Sequence, residues 1–436
     1  MAMHCKLALV ALGFAALPAA TWADETAPYD NTLTGDWDGW RTRLHATGID
    51  LSLGYVSETA GNTQGGTGQG VRYTDQWALG GTFDLDKLLG LNAARFQVTI
   101  TERNGRNLSS DEHLDSLQQV QEVFGREQTW YLTQLWYDQA FWDNGLDVKL
   151  GRMTIGEDFD AFSCDFMNLA FCGSPPGNIV GSYWYNWPVS QWGSRLKAAI
   201  PDFGYAQIGA YEINPNYLRE RYSLNLQDLT PPGATGALIP LEFGWLPTFG
   251  PEHLKGSYIV GAWYNTSATP DVFKNIQGQA LALDGGHPVE VDGAYGMYAS
   301  FIQKVFTPSP SKPDRGASVF FNATFADRQT ATTDSQIAIG IQYDGPFDFR
   351  PQDQIGLAVG RTHVNDRIAE AEKLENAAGL GPVGVQHAEY ESELYYNIHA
   401  TGGLDFRPNV QYIHDPGGIA QNTDDIILGL KLLATF

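Results

Sequence analysis

The residues able to do chemistry in this 436-residue chain are chiefly acids: Asp and Glu number 50 against 27 Lys and Arg, a formal net charge of −23. The densest group is "GEDFDAF", with Glu157, Asp158 and Asp160. Three carboxylates so close could bind calcium, but the stretch lacks the ligand spacing and glycine of an EF-hand loop, which favours a solvated loop. Paired carboxylates could also be assembled for glycosidic bond cleavage, so a secreted glycoside hydrolase is the enzymatic alternative. Against it, no serine sits in a nucleophile elbow, and the nine histidines are scattered without a metal-ligand pattern. "GGTGQG" at 65–70 lacks the strand-to-helix setting of a phosphate-binding loop. We therefore expect no enzyme, no cofactor and no resident metal. Nucleic acid is an unsuitable partner for so acidic a chain, because phosphate binding needs a basic surface.

The start of the chain says where it works. Residues 1–23 carry a short basic start (His4, Lys6), an apolar run from Leu7 to Leu17, and Thr21 and Ala23 around Trp22. That is the layout of a signal peptide cleaved after Ala23. Cys5 leaves with it, so the exported chain keeps Cys164 and Cys172 in "CDFMNLAFC". In an oxidising compartment two such close thiols favour a disulfide; zinc is the lesser alternative, since no paired ligands stand nearby.

No later run of about eighteen apolar residues could cross a bilayer as a helix. Alternation is abundant instead. At the C-terminus, "DDIILGLKLLATF" places Ile426, Leu428, Leu430, Leu432, Ala434 and Phe436 on one parity, opposite Lys431. About sixteen such segments occur between residue 49 and Phe436, each near the about nine to eleven residues that a tilted strand needs to span a membrane. "LIPLEFGW", with its proline, is the weakest. Compact links such as "DNG", "PDFG" and "TGG" alternate with long stretches near 104–128, 154–190 and 365–389. An even strand count with this rhythm predicts an all-β, closed antiparallel transmembrane barrel with short periplasmic turns and long extracellular loops. Aromatics near segment ends (Trp130, Trp136, Tyr137, Trp142, Trp184, Trp187, Trp263, Tyr264, Tyr395, Tyr396) suit interfacial girdles, although core packing competes at each one. Residues 24–48 form an N-terminal segment in which Trp37, Trp40, Arg41 and Leu44 recur at helical spacing. They predict a short amphipathic helix at the periplasmic mouth.

Several long, ordered stretches resemble the carbohydrate-selective porins of Gram-negative outer membranes. They are "LTGDWDGWRTRLHATGIDLSLGYVSE", "REQTWYLTQLWYDQAF", "CDFMNLAFCGSP", "YNWPVSQWGSRLK", "GAYEINP", "YDGPFDFRPQDQIG" and "NVQYIHDPGG". The resemblance implies a monomeric sixteen-stranded barrel in the outer membrane, in contact with its lipid and lipopolysaccharide, through which glucose and related sugars diffuse. It also implies that Phe436 is the signal by which the barrel assembly machinery recognises the last strand. A channel for another class of small solute remains the alternative.

Parity then assigns the lumen. Phe96, Val98 and Ile100 form the apolar face of "ARFQVTITERN", which turns Arg95, Gln97, Thr99, Thr101 and Arg103 inward. The same argument turns Lys149, Arg195, Lys197, Glu393, Asp405, Arg407, Asn409, Gln411 and Lys431 inward, since a basic group at the lipid midplane costs about 2–4 kcal/mol. For most of them a salt-bridge lattice that stiffens the wall is the competing role. Sugars need planar multi-donor groups and aromatic faces. Arg103 precedes the long loop whose "SLQQVQEVFG" has helical character and can fold inward, with Glu122 as the acceptor for Arg103. Arg95 on the same parity, and Trp184 and Trp187 near the end of the cysteine-bearing loop, complete the expected constriction, with simple loop packing as the alternative role of the two indoles.

Overall fold

The computed structural model describes residues 29, 31–126, 128–224, 226, 229–309 and 311–436. The expected signal peptide lies outside the described residues. The strands are β1 (Ile49–Gln64), β2 (Val71–Asp84), β3 (Ala94–Gly105), β4 (Trp130–Phe141), β5 (Leu146–Met153), β6 (Gln191–Ile200), β7 (Gly204–Ile213) and β8 (Gly236–Trp245). They continue with the two-residue β9 (Thr248–Phe249), β10 (Leu254–Asn275), β11 (Pro288–Phe306), β12 (Gly316–Ala326), β13 (Thr333–Asp344), β14 (Gln354–Val364), β15 (Ala388–Thr401), β16 (Leu404–His414) and β17 (Asp425–Thr435). Apart from β9, each strand hydrogen-bonds antiparallel to its sequence neighbours, β8 to β10, and β17 returns to β1. The result is a closed sixteen-stranded barrel without a free edge.

Alternation along β17 shows why the segment folds this way. Leu428 and Leu430 are exposed on the outer wall, while Asp425, Ile427 and Lys431 are fully enclosed inside. Closure runs to the last residue: the Phe436 N–H donates to the Leu53 carbonyl at 3.0 Å, and its ring stacks on Trp77 with centroids 5.9 Å apart. Pro240 sits within β8, where it is paired with Trp263 of β10. Its missing N–H leaves a gap in the β7 ladder between Leu238 and Leu241, which the strand tolerates.

Connections at the end carrying the C-terminus span 85–93, 142–145, 201–203, 246–253, 307–315, 345–353 and 402–403. Those at the opposite rim span 65–70, 106–129, 154–190, 214–235, 276–287, 327–332, 365–387 and 415–424. Strands β10 and β11 run on as a long hairpin, with register shifts at Asn265/Ala268 and Pro270/Asn275.

The N-terminal helix spans Trp40–Thr47 and lies beside the turn after β2, where Lys87 Nζ donates to the His45 carbonyl. Of the four residues at helical spacing, Arg41 is its anchor. Trp37 and Trp40 are exposed, and Arg41 is the buried residue, stacked 4.0 Å over Tyr29 and donating to Thr32, Gly35 and Leu51. A guanidinium can satisfy several backbone carbonyls at a turn, which an indole cannot.

Candidate functional site

The two longest rim connections fold into the barrel, and inward carboxylates hold them there. Glu393 on β15 accepts from the Met167 and Asn168 N–H groups at 2.9 and 2.7 Å. Glu389, two turns of the pleat nearer the rim, accepts from Leu117, Gln118 and Gly417. Glu242 on β8 accepts from the Asp160 N–H at 2.6 Å, and from Tyr205, Gln207 and Tyr298. Glu58 on β1 accepts from the Val123 N–H at 3.1 Å. Charged acceptors on backbone N–H groups form strong hydrogen bonds, so irregular chain is fixed inside the lumen without secondary structure of its own.

This anchoring explains why "SLQQVQEVFG" is irregular rather than helical. Its backbone groups are committed elsewhere: the Glu122 N–H donates to Met167, Gln119 accepts from the Leu169 N–H, and Val120 accepts from Gln411. The two loops therefore support each other. A disulfide between Cys164 and Cys172, with Cα atoms 4.5 Å apart, closes the base of the second.

Arg103 ends the inward face of β3 and is only 4% exposed. Its Nε donates to Gln76 Oε1 at 2.9 Å and its Nη1 to the Gly125 carbonyl at 2.9 Å. The same Gln76 oxygen accepts from Trp187 Nε1 at 2.9 Å. One amide on β2 thus orients a guanidinium from the wall and a half-buried indole from the second loop. Arg103 Nη2 makes no hydrogen bond to any described residue. Gln76 was not singled out from sequence, although its signal exists: Thr74 and Gln76 alternate with the exposed Tyr73 and Trp77.

The other expected site residues lie elsewhere. Glu122 makes no hydrogen bond or ion pair with Arg103; its carboxylate accepts from Lys431 at 2.8 Å. Arg95 lies eight residues from Arg103 on the same strand, about 26 Å along it, and pairs with Asp138 at 2.6 Å. It belongs to a wall lattice in which Arg195 reaches Asp138, Asp147 and Asp158. Trp184 is 1% exposed, packed edge-on to Trp263 with centroids 5.4 Å apart. Trp263 and Tyr395, for which core packing competed with a girdle position, are likewise inside, beside loop aromatics such as Phe166. Trp130, Trp142 and Tyr264 are exposed on the outside, as girdle residues are.

The acidic patch does not present a free cluster. Lys149 lies 3.0 Å from both Glu157 and Asp158. Burial pushes the Asp158 carboxyl up, but Lys149 and Arg195 outweigh it and hold the group below its ordinary range. Asp160 is pushed well above that range by burial and then by Glu242, while Ser300 donates to it at 2.9 Å. Glu157 and Asp158 pair with Lys149, and Asp160 accepts from Ser300; the three do not converge on a shared ligand position.

Residues 68–436 match the family model described as carbohydrate-selective porin, OprB family. The chain is 43% identical to Porin B of Pseudomonas aeruginosa over 99% of its own length and 97% of that protein's. It is 32% identical to the putative porin QuiX of Acinetobacter baylyi, covering 93% of each. The high-pH structure of Pseudomonas putida OprB superposes with a TM-score of 0.89 and 41% identity, over 95% of this chain and 100% of that one. A closed barrel with wall-anchored internal loops and this degree of likeness have one meaning: the chain belongs to the carbohydrate-selective porin family, an outer-membrane channel and not an enzyme.

Proposed function

We propose that the channel passes glucose and related small neutral sugars, as a monomer, and that Arg103, Gln76 and Trp187 form its contact surface. The observation that carries this reading is the single Gln76 oxygen accepting from both Arg103 and Trp187. It holds a planar donor group and an aromatic face side by side, the pair needed to replace water around adjacent hydroxyls while the C–H side of a pyranose rests on indole. A pair of such groups offers a solute only a few weak contacts, as conduction requires. All three groups come from one chain, and a single barrel completes the pathway.

The test is a planar-bilayer recording of the wild-type channel with glucose, an aromatic carboxylate or phosphate added in turn. Glucose should reduce the ion current in a saturable way, and the anions should not. Saturable block by either anion with none by glucose would place the channel with another solute class.

A further inference from the structure

On the outer wall near the rim opposite the C-terminus, four side chains stand at one level across adjacent strands. Ile337 of β13 is paired with Arg361 of β14, Arg361 with Tyr390 of β15, and Tyr390 with His414 of β16. The next outward row toward the bilayer is Ile339, Val359, Ser392 and Tyr412, and the one below it Ile341, Leu357, Leu394 and Val410. Within two rows, each separated by about 6.8 Å, the surface changes from aliphatic to cationic and aromatic. A groove of about 330 Å³ opens at this boundary around the small Ser392.

Arg361 makes no hydrogen bond or ion pair with any described residue. On the same rim Arg328, by contrast, meets Asp334 and Asp366. The far side of the groove is stiff. Tyr412 and His414 stack with centroids 6.4 Å apart, Tyr390 lies 6.1 Å from His414, and His414 Nδ1 is held 2.9 Å from Asp424. Asp424 engages the His414 end of the row, two strands or about 10 Å from Arg361, so it does not neutralise the guanidinium.

We propose that Arg361 and the groove beneath it bind one phosphorylated glycolipid of the outer leaflet, the chemistry of lipopolysaccharide. The guanidinium takes a phosphate in a two-pronged contact, and an acyl chain lies along Val359, Ile339 and Leu357. The rim opposite the chain terminus is the extracellular one in such barrels, which places the groove in the leaflet that carries this lipid. An arginine is tolerated at interfacial depth and gains a partner there.

The experiment is native mass spectrometry of the full-length protein in detergent. The probes are bisphosphorylated lipid A, the same lipid dephosphorylated, and phosphatidylglycerol. Wild type should retain bisphosphorylated lipid A in preference to both others. Arg361→Ala should lower retention about tenfold, the weight of one charge-assisted contact, and Arg361→Lys should fall between. Ser392→Trp keeps the cation but fills the groove, and should also lose the lipid. Ion conductance should be unchanged in all of them. Retention of lipid A by Arg361→Ala at the wild-type level overturns the proposal, as does equal retention of either other probe by wild type. Were Arg361→Ala not to fold, undiminished binding by Ser392→Trp would overturn it alone.

Discussion

Glu122 and Lys431, 309 residues apart in the chain, meet at 2.8 Å inside the barrel. Lys431 stands directly opposite Glu58 in the β1–β17 ladder, with its Nζ 3.2 Å from that carboxylate. The ammonium also donates to the Cys164 and Phe166 carbonyls at 3.0 and 3.1 Å. One enclosed lysine therefore joins the closing seam of the barrel to both inward-folded loops.

Replacing it should show this. Lys431→Met leaves Glu58 and Glu122 enclosed without their cation, and breaking a buried ion pair in this one-sided way costs about 3–5 kcal/mol. The temperature at which the folded band disappears in a heat-modification gel should fall, and open-channel current noise should rise as the loops loosen. A variant with wild-type melting and quiet current would remove Lys431 from this role.

Much of the barrel was legible because a membrane penalises mistakes of parity. Lys431, Arg407 and Glu393 had to face inward, and each does. The loops offered no such period: the partner of Glu122 is fixed by a fold-wide closure, not by neighbours in sequence. Trp263 and Tyr395 could not be divided between girdle and core for a related reason. An interior filled with Phe159, Phe162, Phe166 and Phe171 from the second loop is partly apolar, so an inward aromatic is no contradiction there. Arg103 could be placed from parity alone, but its partner could not, since Gln76 lies on a neighbouring strand whose register sequence does not reveal.

Phe436 couples the last residue to β1 and to Trp77. Phe436→Asp should leave export intact but lower the yield of folded barrel in the outer membrane, because it removes a stacked pair worth about 0.5–1.5 kcal/mol along with the expected assembly signal. Wild-type amounts of heat-modifiable protein would contradict this.

Reduction of the Cys164–Cys172 disulfide should loosen the second loop without opening the barrel. The bridge spans a separation of only 8 residues, and so short a loop accounts for about 2–3 kcal/mol at most. The reduced protein should keep its heat-modifiable band yet become sensitive to protease within 154–190. Loss of the folded band would show that the barrel itself depends on the bridge.

Asp158 gives the lattice a pH dependence. Its folded carboxyl is held below the ordinary value, so its contribution is complete above the unfolded value of about 3.9 and is lost as pH falls through the depressed one. Wild type should therefore outlast Asp158→Asn most clearly above about pH 5, and the gap in melting temperature should close in stronger acid. A gap that stayed constant from neutral to acid pH would assign the effect to packing.

The most direct measurement is glucose-dependent block of single-channel current in wild type, Arg103→Ala and Arg103→Lys. Arg103→Ala removes the donors and the volume that Gln76 positions beside Trp187. Its ion conductance should rise, and its glucose block should weaken by roughly 1 kcal/mol, the net weight of one or two hydrogen bonds exchanged against water. Arg103→Lys should lie between the two, keeping the charge without the planar fork. Equal glucose block in all three channels, with only stability altered, would contradict the account and leave Arg103 a wall residue.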